Sequence, residues 1–243
     1  SMSEIKQDSP KRPIRIAIIQ LARLGDTIQS LMALRAAKQL YPEMEITFIC
    51  HENMAAAANK TPWIRNVHAF PTDLFLKPVL HGARTPENLV PELAAWVEPL
   101  VESPWDFAVN WTFSDASSHL AALLPAKVKL GYSRSYDGSF RTLDGWSHYI
   151  QAIVQSDTRQ SIHLTDILTT QLLTALQVNV GEPQDPGDAT VTSKSFFQLD
   201  RRDPISPTWN HPGTKWIAIQ LDPNSNRSKS EGGWKAADLA TLA

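Results

Sequence analysis

Asp26 lies where a buried strand is predicted to turn into a helix. It ends the triplet Leu24-Gly25-Asp26, which follows a nearly continuous apolar run at 14–21 and opens a stretch of helical apolar spacing at 27–40. In open α/β sheets, ligands bind beyond the carboxyl ends of the strands. A carboxylate at that place can take a proton from an attacking hydroxyl group. Asp is also favoured at helix N-caps, so capping of the helix is an equally weighted structural alternative.

The loop 222–229 is a second candidate site. It follows a predicted buried strand at 215–221 and precedes a helix that is predicted to begin at Trp234. Small polar residues, a basic side chain and free helix amides are the groups that bind a phosphate or diphosphate. A solvated surface loop is an equally weighted interpretation. Two strand–loop–helix sites of this kind predict a ligand cleft between two domains.

The elements that must position these residues alternate along the chain. Apolar runs and helical spacing alternate in the βαβ order that predicts an α/β fold with a mostly parallel, Rossmann-like sheet. Loops are predicted at 71–82 and 132–145, and Ser114 or Asp115 is predicted to cap a helix. Strands are predicted at 14–21, 45–50, 67–70, 106–110 and 128–131, and helices at 27–40, 54–59, 86–101, 116–124 and 163–176.

Composition shifts predict the domain organisation. Residues 1–12 are expected to be a disordered or tag-derived tail, and residues 13–199 an N-terminal Rossmann-like domain on the acceptor side. Residues 200–214 are rich in proline and lack periodicity, which is typical of a linker. Residues 215–243 are expected to begin a second Rossmann-like domain that is truncated here, because one strand and part of a helix cannot build a core.

Charge and composition exclude several classes of protein. The chain has 243 residues and a formal net charge of -2. Its 42% of hydrophobic residues is a typical composition for a globular protein. No basic field favours nucleic acid. The single cysteine, Cys50, is predicted to be buried and cannot form a disulfide framework or a zinc site alone. No apolar stretch of about 18 residues and no signal peptide is recognised, so we expect a cytoplasmic protein, with peripheral membrane association left open.

The sequence lacks several motifs that are typical of common enzyme classes. The first strand is not followed by a Gly-x-Gly-x-x-Gly fingerprint, which makes a nicotinamide-dependent oxidoreductase the least favoured enzyme class. Neither a Walker phosphate loop nor a Gly-x-Ser-x-Gly elbow occurs. The seven histidines are scattered without metal-ligand spacing, so no metal site is predicted.

Four segments resemble one known family. Residues 16–41, IAIIQLARLGDTIQSLMALRAAKQLY, resemble the opening of the bacterial lipopolysaccharide heptosyltransferases, which belong to glycosyltransferase family 9. The order of strands and helices in 41–70 and in 105–132, WDFAVNWTFSDASSHLAALLPAKVKLGY, is similar to the family's. Residues 216–243, WIAIQLDPNSNRSKSEGGWKAADLATLA, resemble the beginning of its second domain. The resemblance therefore covers nearly the whole chain.

This resemblance implies a GT-B fold of two Rossmann-like domains and an inverting glycosyltransferase. The donor would be a nucleotide sugar, ADP-heptose or a related ADP-sugar, and the acceptor the anionic inner core of a lipopolysaccharide, with no cofactor and no metal required. The family's catalytic aspartate falls on Asp26, which would act as general base. Its donor-phosphate loop falls on Asn224, Ser225 and Lys229. The resemblance also implies a possible peripheral contact with the inner membrane.

Further residues are predicted to belong to the site, and the sequence departs from the family's pattern at two places. Loop residues that could face an anionic acceptor are Arg23, Leu24, Gly25, Arg134 and Arg141. The family's lysine two residues before the tryptophan is Gly232 here, so Lys229 can replace it only if the loop folds back. The family's His-Pro-Gly-like start of this loop is Leu221-Asp222-Pro223 here. These departures favour, as the alternative, a degenerate or non-catalytic glycan-binding domain.

Overall fold

A computed structural model describes residues 12–75, 81–155 and 163–183. The chain divides into two units, residues 1–197 and 198–243, and every described residue belongs to the first. The predicted linker at 200–214 and the predicted second domain at 215–243 lie outside the described residues, as does most of the predicted tail at 1–12.

Strands and helices alternate along the described residues. The strands are β1 (Ile14–Gln20), β2 (Met44–His51), β3 (Asn66–Phe70), β4 (Trp105–Asn110), β5 (Ala126–Arg134) and β6 (Phe140–Thr142). The helices are α1 (Leu24–Leu40), α2 (Glu52–Asn59), α3 (Thr72–Phe75), α4 (Val90–Val101), α5 (Asp115–Leu123), α6 (Gly145–Gln155) and α7 (Leu164–Val180), and a 3₁₀ turn at Pro86–Leu89 precedes α4.

The strands form one six-stranded sheet in the order β3-β2-β1-β4-β5-β6. Strands β1 to β5 pair in parallel, and β6 runs antiparallel to β5. In the centre, Ile16 pairs with Ile46 of β2 on one side and with Phe107 of β4 on the other. The strand order reverses between β1 and β4, which makes their carboxyl ends the topological switch point of the sheet.

Both faces of the sheet are covered, which explains why β1 is an almost continuous apolar run. Ile16 and Ile18 pack into a core with α1 and α7, for example against Leu34 and Leu172. Alternate residues such as Ile19 point the other way, into a second core that includes residues of α4 and α5. Side chains alternate across a strand, so a doubly covered sheet needs apolar residues at successive positions. The predicted α/β class with a mostly parallel sheet is confirmed.

The beginning of α1 differs from the prediction. The helix begins at Leu24, three residues before the predicted start, and Arg23 is the N-cap with extended backbone angles and no side-chain cap hydrogen bond. Asp26 therefore lies in the first turn rather than at the N-cap, and the capping interpretation is wrong. A carboxylate in the first turn still suits the helix dipole.

The segment 132–145, predicted as a loop, is the largest difference. Strand β5 continues to Arg134 instead of ending at Gly131, and Phe140–Thr142 returns as β6 to form a hairpin. Helix α6 follows where no element was predicted. The loop prediction for 71–82 also missed the short helix α3. Ser114 is confirmed as the cap of α5, because its hydroxyl oxygen accepts a hydrogen bond from the backbone N–H of Ser117.

Candidate active site

The candidate site lies at the switch point, where the loops after β1 and β4 meet. A cavity of about 340 Å³ opens there, at the small end of the usual range for ligand sites. Its wall combines hydrogen-bonding groups with aromatic and aliphatic side chains. The polar residues are Gln20, Asp26, Asn110, Thr112, Ser147 and Gln151, and the apolar or aromatic ones are Ala22, Trp111, Phe113, Tyr132, Ile150, Leu164 and Leu168.

Asp26 contributes the carboxylate of this cavity. Its side chain is half-buried, and no hydrogen bond or ion pair to its carboxylate is formed within the part of the chain that the structure describes. Its backbone carbonyl accepts a hydrogen bond from the Ser30 hydroxyl at 2.8 Å. The first turn of α1 therefore holds the residue while the carboxylate oxygens stay available to a bound molecule.

Gln20 connects this turn to the rest of the site. Its Nε2 donates to the Ser30 hydroxyl at 2.7 Å, and its Oε1 accepts from the Thr112 hydroxyl at 3.0 Å and from the backbone N–H of Ala22 at 3.2 Å. Gln20 is only 1% exposed, and a buried amide is stable only when its polar atoms are hydrogen-bonded. The chain of bonds fixes the first turn of α1 relative to the β4 loop.

Asn110 organises that loop from the end of β4. Its Oδ1 accepts from the backbone N–H of Thr112 at 2.9 Å, and its Nδ2 donates to the Tyr132 carbonyl at 2.8 Å and the Ser117 hydroxyl at 3.2 Å. The backbone N–H of Leu21 donates to the Thr112 hydroxyl at 2.6 Å. Because these bonds join β1, β4, β5 and α5, the floor of the cavity is rigidly positioned.

A second polar cluster holds the parts of α6 and α7 that line the cavity. The Asp144 carboxylate accepts from the backbone N–H of Gly131 at 2.8 Å and from the backbone N–H of Ser147 at 2.9 Å, which caps α6. Gln171 of α7 donates to Asp144 at 3.0 Å and accepts from the indole N–H of Trp111 at 2.8 Å. This cluster fixes α6 and α7 beside the cavity.

Tyr132 remains a neutral hydrogen-bond donor in this wall. Burial, with the nearby Asp144 charge as the second cause, raises the pKa of Tyr132 to about 12. Its hydroxyl donates to the Ser147 carbonyl at 3.2 Å. Tyr132 is therefore ill suited to act as a base near neutral pH, and Asp26 supplies the carboxylate of the cavity lining.

None of the other predicted site residues in the described part of the chain lines this cavity. Arg23, Leu24 and Gly25 are exposed on the N-cap and first turn of α1. Arg134 donates to Ser118 at 3.0 Å and to the Gly138 carbonyl at 2.8 Å and pairs with Asp115, so its guanidinium is bound to the protein. Arg141 is exposed on β6. Asn224, Ser225 and Lys229 lie outside the described residues.

The sequence prediction missed Gln20, Asn110 and Thr112. Gln20 and Asn110 each end an apolar strand with a buried amide, and this polar ending was a usable signal. What the sequence did not provide was the adjacency of β1 and β4, which are separated by two strands along the chain.

Two features are absent from the part of the chain that the structure describes. No group of three or more His, Cys, Asp or Glu side chains there could hold a metal ion. None of the helices described is long and apolar enough to cross a bilayer.

These features define a doubly covered α/β domain with a carboxylate-bearing cavity at its switch point. No family model matches the chain, and no curated protein matches it. Among solved structures, E. coli heptosyltransferase WaaC with ADP-2-deoxy-2-fluoro heptose is similar at 16% identity and a TM-score of 0.47, over 70% of this chain and 50% of that one. The family 9 glycosyltransferase from Veillonella parvula DSM 2008 is similar at 18% identity and a TM-score of 0.45, over 72% and 45%.

E. coli ADP-heptose lipopolysaccharide heptosyltransferase II is similar at 15% identity and a TM-score of 0.37, over 48% of this chain and 30% of that one. The chain spans about half the length of the first of these solved structures. All three are described as glycosyltransferases, two of them as heptosyltransferases.

Proposed function

We propose that this chain carries the acceptor side of an inverting glycosyltransferase, which moves a heptose or related sugar from an ADP-sugar to a lipopolysaccharide inner-core acceptor. The observation that carries the proposal is the Asp26 carboxylate, which lines the switch-point cavity without a hydrogen-bonding partner among the described residues. The sequence resemblance supports the same reaction, with Asp26 at the position that corresponds to the family's catalytic aspartate.

In the proposed reaction, an oxygen of the Asp26 carboxylate accepts the proton of the acceptor hydroxyl. The hydroxyl oxygen then attacks the anomeric carbon of the donor on the side opposite the diphosphate. The bond between that carbon and the diphosphate oxygen breaks as the new bond forms, so the configuration inverts and ADP leaves. Positioning the hydroxyl beside the carboxylate supplies both the proton transfer and the orientation of the attack.

The donor side of the proposal rests on the resemblance alone. Asn224, Ser225 and Lys229 would neutralise the charge that develops on the leaving diphosphate, without a metal. Arg23, Leu24, Gly25 and Arg141 remain proposed contacts for the anionic acceptor. Arg134 would serve the acceptor side indirectly, because its guanidinium is already bound to α5 and the hairpin. A cytoplasmic enzyme with peripheral contact to the inner membrane is consistent with a glycolipid acceptor.

Substitution of Asp26 tests the reaction. Asp26→Asn keeps the size of the side chain but removes the base, so we expect transfer from ADP-heptose to a deacylated inner-core oligosaccharide to fall about 10²–10⁴-fold. The assay uses this chain and, in parallel, a longer chain with a complete second domain. Oligosaccharide affinity, measured by calorimetry, should change little. The matched control is Asp137→Asn, a carboxylate on an exposed turn of the hairpin. Full activity of Asp26→Asn would disprove the assigned role.

A non-catalytic glycan-binding domain is the second candidate, and the glycine at position 232 favours it. Calorimetric titration with ADP-heptose separates the two functions. If the longer chain binds the oligosaccharide but neither binds ADP-heptose nor transfers sugar, the glycan-binding function replaces the enzymatic one.

A further inference from the structure

Phe113 is an exposed aromatic residue at the rim of the cavity. It lies in the loop between β4 and α5, it lines the cavity, and 57% of it is exposed to solvent. A single exposed apolar side chain is ordinary on a protein surface. Phe113 differs because it borders a cavity with several polar groups and because other aromatic rings hold it in place.

Two further rings fix the orientation of Phe113. Its ring centroid lies 5.0 Å from that of Tyr132 and 4.7 Å from that of Phe140, both in edge-to-face arrangements. The rings of Tyr132 and Phe140 are themselves stacked at 5.6 Å, and the Arg134 guanidinium lies 5.7 Å from the Phe140 centroid. Tyr132 is only 4% exposed, so Phe113 is supported from beneath by buried structure.

The backbone around Phe113 is also held on both sides. The backbone N–H of Thr112 donates to the Asn110 side chain at 2.9 Å. The Ser114 hydroxyl on the other side accepts from the backbone N–H of Ser117 at 3.2 Å. The ring is therefore positioned before any ligand arrives, and little conformational entropy would be lost on binding.

We propose that Phe113 is a specificity-determining residue that stacks against the apolar face of a pyranose ring in the acceptor. The C–H groups on one face of a pyranose form an apolar patch with a slight positive charge, which suits the negative face of an aromatic ring. Polar groups of the cavity lining that are not fully buried, such as the Asp26 carboxylate and the Gln151 amide, would meet the hydroxyls of the same sugar. This inference rests on the proposed function for the identity of the acceptor but concerns binding and not transfer.

Saturation-transfer NMR with a deacylated inner-core oligosaccharide tests the stacking. The measurements use the full chain in the Asp26→Asn background, so that binding is observed without turnover. We expect the C–H protons of one pyranose face to receive the strongest saturation. Phe113→Ala should weaken binding about tenfold, a change of roughly 1.4 kcal/mol. Phe113→Trp should restore it, and Phe113→Leu, which keeps apolar area but has no aromatic face, should not.

Tyr136→Ala is the matched control, because Tyr136 is a fully exposed aromatic residue on the hairpin turn and does not line the cavity. Equal affinities of the Phe113→Ala and Tyr136→Ala variants would overturn the inference, as would failure of the oligosaccharide to bind the parent chain. A change in oligomeric state of Phe113→Ala in light scattering, with unchanged sugar affinity, would instead assign the ring to a contact between copies and also overturn it. Absence of transfer by the parent chain, with the stacking intact in the Asp26→Asn background, would disprove only the proposed function.

Discussion

Ser30 links the carboxylate-bearing turn of α1 to the end of β1. Its hydroxyl accepts from the Gln20 amide at 2.7 Å and donates to the Asp26 carbonyl at 2.8 Å. Ser30 is fully buried, and it does not line the cavity. Since Ser30 can influence the proposed reaction only through the residues it holds, we expect it to act as a positioning residue for Asp26.

Ser30→Ala should therefore lower the transfer rate without affecting acceptor affinity. We expect kcat to fall about tenfold, because a small displacement of a catalytic group is costly, while the KM for the acceptor stays within about twofold. Steady-state kinetics with varied acceptor checks this. Thr174→Ala removes a hydrogen bond of the same i to i−4 type from an exposed site on α7 and serves as control. An unchanged kcat, with only a lower melting temperature, would show that Ser30 is purely structural.

At the scale of elements, β5 requires a glycine at position 131, where it pairs with Asn110 of β4. Gly131 has a φ of +90°, and a Cβ atom built there would lie 1.9 Å from the carbonyl oxygen of Asn110. Both the backbone angle and the missing space require glycine. The position matters for the site, because Asn110 organises the loop that borders the cavity.

Gly131→Ala should be strongly destabilising. The left-handed backbone costs about 1–2 kcal/mol and the steric overlap roughly a further 1–3 kcal/mol, so we expect a loss of about 2–5 kcal/mol in the free energy of unfolding. Urea denaturation measures it. Gly138→Ala is the matched control: its φ is +78° but nothing lies within 4 Å of the added Cβ, so only the backbone cost applies. Equal losses in the two variants would show that β5 shifts to make room.

Elements with long regular patterns could be predicted, and those defined by pairing could not. The apolar runs of β1 and β4 and the stripe of α7 carry their own periodicity. Strand β6 has only three residues, too few for alternation to be visible, and it exists because β5 pairs with it. The beginning of α6 depends on Asp144, whose carboxylate caps the helix and also binds Gly131 and Gln171. Those partners are distant in sequence.

The same distinction applies to the candidate site. Asp26 could be found from sequence because a strand, a short loop and a helix are contiguous there. Thr112 and Gln20 could not be paired, because their 3.0 Å hydrogen bond joins residues 92 positions apart. The edge-to-face contact of Phe113 with Phe140 likewise depends on the hairpin, which was not predicted from the sequence.

At the scale of the whole molecule, we expect stability in acid to depend on Asp106, a carboxylate at the amino ends of the strands, away from the cavity at their carboxyl ends. Asp106 lies near the amino end of β4. Its carboxylate accepts a hydrogen bond from the backbone N–H of Arg15 at 3.0 Å and forms ion pairs with Arg12 and Lys127. Burial alone would raise its pKa, but the hydrogen bonds and the Arg12 charge outweigh it and hold the pKa of Asp106 below its ordinary value of 3.8.

Because the pKa is lower in the folded state, the unfolded chain binds more protons in this range. The stabilisation from Asp106 is complete above the unfolded pKa near 3.8 and is lost as the pH falls through the folded value. We expect the free energy of unfolding to decrease progressively below about pH 4, and Asp106→Asn to remove part of this slope. Urea denaturation at several pH values checks it, with Glu98→Gln on an exposed position of α4 as control. Identical slopes in all three proteins would contradict the prediction.

The two edge strands of the sheet, β3 and β6, determine whether it can pair with a strand of another molecule. On one side it ends in β6, a three-residue antiparallel strand too short to template another chain. On the other, the indole N–H of Trp96 donates to the Ala69 carbonyl at 2.8 Å and so occupies a backbone acceptor of β3. Exposed edges are where sheets of separate molecules join and aggregate. Both edges of the described sheet are therefore protected against edge-to-edge assembly, and loss of the Trp96 indole would leave a backbone acceptor of β3 open to intermolecular strand pairing.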